Sequence, residues 1–269
     1  MYKTYLDIIN RVEEHKRRVE QLGHNYFFVA LQGSWNYGLG YEGSDVDTKA
    51  LILPSFKDIV LNKKPISTTH ILENEEHCDL KDARLMFQNF WKQNINFLEI
   101  LFTPYVYIHP EFKTEFFALQ QMREDVAHYD VKKALNCMCG MAQEKYHALE
   151  HPYPTVASKI ETFGYDGKQL HHIMRMEDFV AAYISGKPFS ECLHTFDIFS
   201  KEELLEAKRN EYSLEEARTI ADGSCRRIKM MKDAYLDRND PPVREEAKAA
   251  AEEILYSVFE KQFKYELSR

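Results

Sequence analysis

Asp45 and Asp47 stand one residue apart, between two apolar runs. The first run is Phe27, Phe28, Val29, Ala30 and Leu31; it ends in Gly33-Ser34 and a glycine-punctuated loop, and the second runs from Ala50 to Leu53. In an extended backbone the side-chain period is two, so both carboxylates project from one face. Paired carboxylates attract a hard cation. Mg2+ (or Mn2+) is held by oxygen ligands, typically one or two carboxylates completed by substrate phosphates. Gly33 lets the backbone approach a ligand closely, and Ser34 adds an N–H and a hydroxyl for a phosphate oxygen. The stretch therefore carries both metal and phosphate contacts.

Those residues need a sheet to hold them. Residues 26–31 and 46–53 read as two strands, the second closed by Pro54, with a short helical turn at 35–39 between them. Residues 2–22 place Tyr5, Ile8, Ile9, Val12, Val19 and Leu22 at close to a 3.6-residue period, which predicts an amphipathic helix ended by Gly23 and packed on the sheet. Runs at 66–72 and 77–80 predict a hairpin around Glu73, Glu75 and Glu76, which are expected to be a solvated turn. Asp82 sits where a helix N-cap would be.

Gly33-Ser34 followed by Asp45-Val46-Asp47, within the wording GSWNYGL and GSDVDTKALILP, resembles the Gly-Ser and Asp-x-Asp signature of the DNA polymerase β-like nucleotidyltransferases. It is similar in particular to a bacterial and phage branch of predicted nucleotidyltransferases. The resemblance implies a third acidic residue on a later strand, and Asp79 in His77-Cys78-Asp79-Leu80 occupies that place. It implies that Asp45, Asp47 and Asp79 bind metal and carry catalysis, and that Gly33 and Ser34 bind nucleotide. The likeness extends over residues 81–104, where Glu99 matches a family position and is expected to make structural contacts from a helix.

From about residue 110 the pattern turns helical. Successive helices are predicted at 111–121, 126–150, 155–184, 201–212, 213–237 and 243–265, with Ser213 and Glu216 as a capping box. The predicted fold class is α+β: a small mixed β-sheet domain with flanking helices at 1–108, followed by an all-helical domain at 109–269. Within the helical part, Lys168, His172 and Arg175 fall within roughly 60° of arc on one helix face at about 100° per residue. Leu170, Ile173 and Met174 fall on the other. Such a cationic face suits phosphate. The pattern Gly164-Tyr165-Asp166, Lys168, His172, Arg175 also resembles the second motif of the same branch, which implies nucleotide binding there.

The 269 residues are 44% hydrophobic, enough to bury a core, and 29% charged with a formal net charge of −8. That balance does not suggest a broad surface for long duplex nucleic acid. Five cysteines without a Cys-x-x-Cys pair argue against a disulfide framework. No apolar stretch approaches the roughly 20 residues of a membrane span, and the polar start at residues 1–4 does not read as a signal peptide. The expectation is a cytoplasmic protein without a membrane partner.

Taken together, these features and the resemblance point to transfer of an NMP from a nucleoside triphosphate, ATP among them, to an acceptor hydroxyl on a nucleic-acid end, a small molecule or a protein, with release of pyrophosphate. The resemblance suggests a short RNA as one acceptor. A catalytically silent nucleotide sensor on the same fold is the alternative. A metal-dependent phosphohydrolase is disfavoured, because no His-Asp dipeptide or H-E-x-x-H motif occurs among eleven scattered histidines.

Overall fold

The computed structural model describes residues 5–41 and 43–268. It has an α+β architecture built on a five-stranded mixed sheet with many helices. Two compact units result: one takes in the described residues of Met1–Asp130 and Val243–Arg269, the other Val131–Pro242. The division differs from the expected break at 108/109, because residues 109–130 and the chain's last helix both belong to the sheet-bearing unit. The expected polar start at residues 1–4 lies outside the described residues.

The first unit opens with helix α1 (Tyr5–Gln21), whose buried Ile8, Val12, His15 and Val19 form one stripe at helical spacing. Gly23 follows at φ 75, a left-handed conformation that ends helices at little cost only for glycine. Strand β1 (Asn25–Gln32) and strand β2 (Asp47–Leu53) are antiparallel neighbours at the middle of the sheet. Both are buried almost end to end, which is why they read as continuous apolar runs. After the short helix α2 (Phe56–Val60), strands β3 (Ser67–Ile71) and β4 (His77–Asp82) form the expected hairpin. β4 lies parallel to β2. Helix α3 (Ala83–Trp91) begins at Asp82, whose carboxylate accepts the Arg84 N–H, and a one-turn helix α4 (Ile95–Leu98) follows.

A further strand, β5 (Val106–Ile108), pairs with β1 and gives the sheet order β3-β4-β2-β1-β5. The sequence pattern does not announce this strand, since three residues are too few to show a period. Helices α5 (Lys113–Gln121) and α6 (Arg123–Ala127) complete the run. Phe112, just before α5, and Phe116 within it meet the Phe27 ring, and Phe116 also meets Phe28. On the other face, Val29, Leu31, Ala50, Ile52, Cys78 and Leu80 form one cluster with Ile8, Val12 and Val19 of α1.

The second unit contains α7 (Val131–Ala148), α8 (Ala157–Phe163), α9 (Gly167–Ile184), α10 (Phe189–Leu193), α11 (Ile198–Lys208) and α12 (Leu214–Leu236). Helix α9 is central, packing against α7, α10, α11 and α12. The predicted helix over 155–184 is interrupted at Gly164-Tyr165-Asp166, where Gly164 turns left-handed at φ 82 and Asp166 caps α9. The Ser213 and Glu216 capping box at the head of α12 is present as expected. Helix α13 (Glu245–Leu267) packs on α3, α5 and α6 of the first unit. No helix of the described residues is long and apolar enough to cross a membrane.

Candidate active site

The strand order brings the C-terminal end of β1 beside the N-terminal ends of β2 and β4. Gln32 stands in register with Asp47, and Lys49 with Asp79. Thr48, Ala50, Cys78 and Leu80 alternate with these residues and are turned towards α1. By the two-residue period Asp47, Lys49, Asp79 and Lys81 therefore occupy the opposite face of the sheet. Val46 is wholly buried in the α1 cluster, while Asp45 is exposed and Asp47 half-buried beside it.

A buried carboxylate fixes the middle of that acidic pair. Glu76 Oε1 accepts the Val46 N–H at 3.2 Å, and Oε2 accepts Arg11 Nη2 at 2.6 Å and lies 3.1 Å from His15 Nε2. His15 Nδ1 in turn lies 2.8 Å from Thr48 Oγ1. Burial alone would raise the Glu76 carboxyl, but the His15 and Arg11 hydrogen bonds overcome it and hold the group at about 2. Glu73 and Glu75 are exposed, as a solvated turn requires. Glu76 corrects that expectation: it is 4% exposed and ties α1 to the acidic loop.

The Gly33-Ser34 loop is held from the other side by Glu99, itself buried. Its Oε2 accepts the Gly33 N–H at 3.1 Å and Asn36 Nδ2 at 3.2 Å. This is the structural role expected of Glu99. It also means that Gly33 contributes its φ of 90 and open space where a side chain would stand, not a vacant amide. Ser34 opens the 3-10 turn Ser34–Tyr37, and among the described residues its hydroxyl has no hydrogen-bond partner. Trp35 Nε1 donates to the Asp45 carbonyl at 3.1 Å, which joins the two halves of the loop. Gly40 makes room for that ring, since a Cβ there would run into Trp35.

The three aspartates differ in what surrounds them. The Asp45 carboxylate has no partner among the described residues. Asp47 Oδ1 accepts the His77 N–H at 2.8 Å. Asp79 is engaged at both oxygens: Thr69 Oγ1 donates to Oδ1 at 2.6 Å, Gln32 Nε2 donates to Oδ2 at 3.1 Å, and Lys49 Nζ lies 3.6 Å from Oδ2. Burial pushes the Asp79 carboxyl up, yet Thr69, Lys49, Gln32 and Lys81 together bring it below the ordinary value. Burial lowers Lys81 against the opposing pull of Asp79.

Asp45 and Asp47 fit a hard cation that is completed by phosphate oxygens. Asp79 stands on the same sheet face but is engaged by Thr69, Gln32 and Lys49. Among the described residues no group of three His, Cys, Asp or Glu that could hold a metal ion is found. Lys49 is the residue the sequence reading missed. Its signal was there: a lysine two residues after Asp47, at the head of an otherwise apolar strand.

The second expected cluster sits wholly in the helical unit. Lys168 is exposed, Arg175 is 5% exposed, and His171 is buried with Nδ1 2.8 Å from the Leu204 carbonyl oxygen. Burial, Arg175, His171, Lys168 and Lys145 hold His172 well below the ordinary imidazole value, so it is neutral at pH 7. The cationic face therefore consists of Lys168 and Arg175, and Arg175 belongs to the interior. The preceding tripeptide is structural. Tyr165 is fully buried and donates its hydroxyl to the Tyr212 carbonyl at 2.8 Å, and the Asp166 carboxylate accepts the Lys168 N–H at 3.1 Å. At Gly167 a side chain would collide with the Ala207 carbonyl of α11.

In comparisons with models of known families and with curated proteins, the chain matches none.

Proposed function

We propose that the chain is a metal-dependent nucleotidyltransferase that moves an NMP from a nucleoside triphosphate to an acceptor hydroxyl. The observation that carries this reading is the convergence of a Ser34-bearing loop and the Asp45/Asp47 pair at one end of adjacent strands, braced by Glu99 and Glu76. Asp45 and Asp47 would hold a divalent cation there, which would supply positive charge to offset the charge that develops on the transferred phosphate. Ser34 holds the terminal phosphates through its hydroxyl. Through that cation Asp45 and Asp47 would position the triphosphate, so that the α-phosphorus faces the acceptor in line with the departing pyrophosphate. The acceptor oxygen forms its bond to the α-phosphorus as the α–β bridging bond breaks, and the hydroxyl proton passes to solvent.

The acidic net charge favours a small or short acceptor, and a short RNA end is the acceptor we propose. Five free cysteines fit a reducing cytoplasmic setting. The second reading, a silent nucleotide sensor, draws on one observation: Asp79 is occupied by Lys49, Gln32 and Thr69. Pyrophosphate release from each NTP with Mg2+ or Mn2+, with and without a short RNA, separates the two. Release that is metal-dependent, rises with RNA and vanishes in Asp45→Asn supports the transferase. Nucleotide binding without turnover supports the sensor.

A further inference from the structure

The face that carries the acidic pair also carries a buried lysine. Lys49 is 5% exposed, its Nζ lies 3.6 Å from Asp79 Oδ2, and the same ammonium sits 5.1 Å from the centre of the Phe97 ring. Burying an ammonium is costly unless a counter-charge accompanies it, and here the counter-charge is the third acidic residue. Lys81 stands one period further along the neighbouring strand, 5.6 Å from the same ring, so two lysines face one aspartate. Gln32 donates to the same Asp79 oxygen and Thr69 to the other. Asp45, by contrast, is exposed and Asp47 keeps one oxygen without a partner among the described residues.

We propose that Lys49 is the resident counter-cation of Asp79, so that this chain takes a single divalent cation, on Asp45 and Asp47, with the lysine ammonium standing where a second ion would otherwise bind. Lys49 is then a positioning residue that sets the number of ions the site accepts, and Asp79 is held by protein donors instead of by metal. The inference rests on the transferase reading for its purpose but not for its test.

Mn2+ binding to the full chain, counted from the electron paramagnetic resonance signal of the free ion, decides it without any turnover. The native protein is expected to bind about one Mn2+ per chain, to lose it in Asp45→Asn and to keep it in Asp79→Asn. Lys49→Met frees Asp79 and is expected to raise the count to about two, the second ion disappearing again when Asp79→Asn is added. Lys49→Arg keeps the charge and is expected to keep the native count. Two ions on the native chain, one of them lost in Asp79→Asn, would overturn the proposal even if Lys49→Met failed to fold. One Asp45-dependent ion with no pyrophosphate released from any NTP would sink the transferase reading while leaving the single-ion inference standing.

Discussion

The acidic loop of the sheet-bearing unit and the Gly164–Arg175 segment of the helical unit look alike as sequence, each a run of glycine, acidic and polar residues with phosphate-binding potential. In the fold they differ. In the loop, the side chains proposed to bind ligand, Ser34, Asp45 and Asp47, stay accessible, and residues elsewhere in the chain, Glu76, Glu99 and Arg11, do the bracing. In the helical segment the distinctive residues brace themselves: Tyr165 fills the interior, Asp166 caps α9 and His171 bonds to α11. A motif whose residues are spent on its own folding has little left for a ligand, and here that leaves chiefly Lys168.

The contrast can be broken most directly at the carboxylates. Asp47→Asn is expected to lower NMP transfer by about a thousandfold or more, in line with charge stabilisation of the transition state, while its thermal midpoint stays close to native. Unfolding of the variant would show that Asp47 braces instead of reacting. On the helical side the order inverts. Tyr165→Ala should cost about 4 kcal/mol in urea unfolding, as removal of a buried aromatic side chain does, and a loss below about 1 kcal/mol would mean that the segment does not hold its unit together.

Glu76→Gln comes next, at about 2 to 3 kcal/mol, the low end because Arg11 is partly solvated. Its pH dependence follows from the lowered carboxyl. The stability that ionised Glu76 supplies is complete above the unfolded-chain value of about 4.3 and is lost as pH falls toward the folded value of about 2. Between those limits the native unfolding curve should be steeper in pH than that of Glu76→Gln; identical slopes would remove Glu76 as the brace. Glu99→Ala should cost about 1 to 3 kcal/mol by orphaning the Gly33 amide, with a raised KM for NTP. Lys168→Ala, the smallest effect, should leave stability within about 0.5 kcal/mol. Neutral His172 should give transfer rates no break between about pH 6 and 8, where an unperturbed imidazole would produce one.

Sequence by itself determined the elements and the local chemistry. The apolar run at residues 50–53 and period 3.6 in residues 5–22 set strand and helix, because which side chains are buried is written in their pattern. Gly23 and the Ser213/Glu216 box marked their boundaries, since turn and cap chemistry is local. Asp45, Asp47 and Ser34 stood out as candidates for the same reason, their residue types being local. What only the tertiary structure decided was which distant groups neutralise or brace them. Strand β4 laid parallel to β2 puts Asp79 beside Lys49, and helix α1 brings Arg11 and His15 onto Glu76. Charge pairing depends on distance through space, and a spacing along the chain does not encode it. For that reason a glutamate read as a solvated turn is a buried anchor, and a carboxylate read as a metal ligand is paired with a lysine.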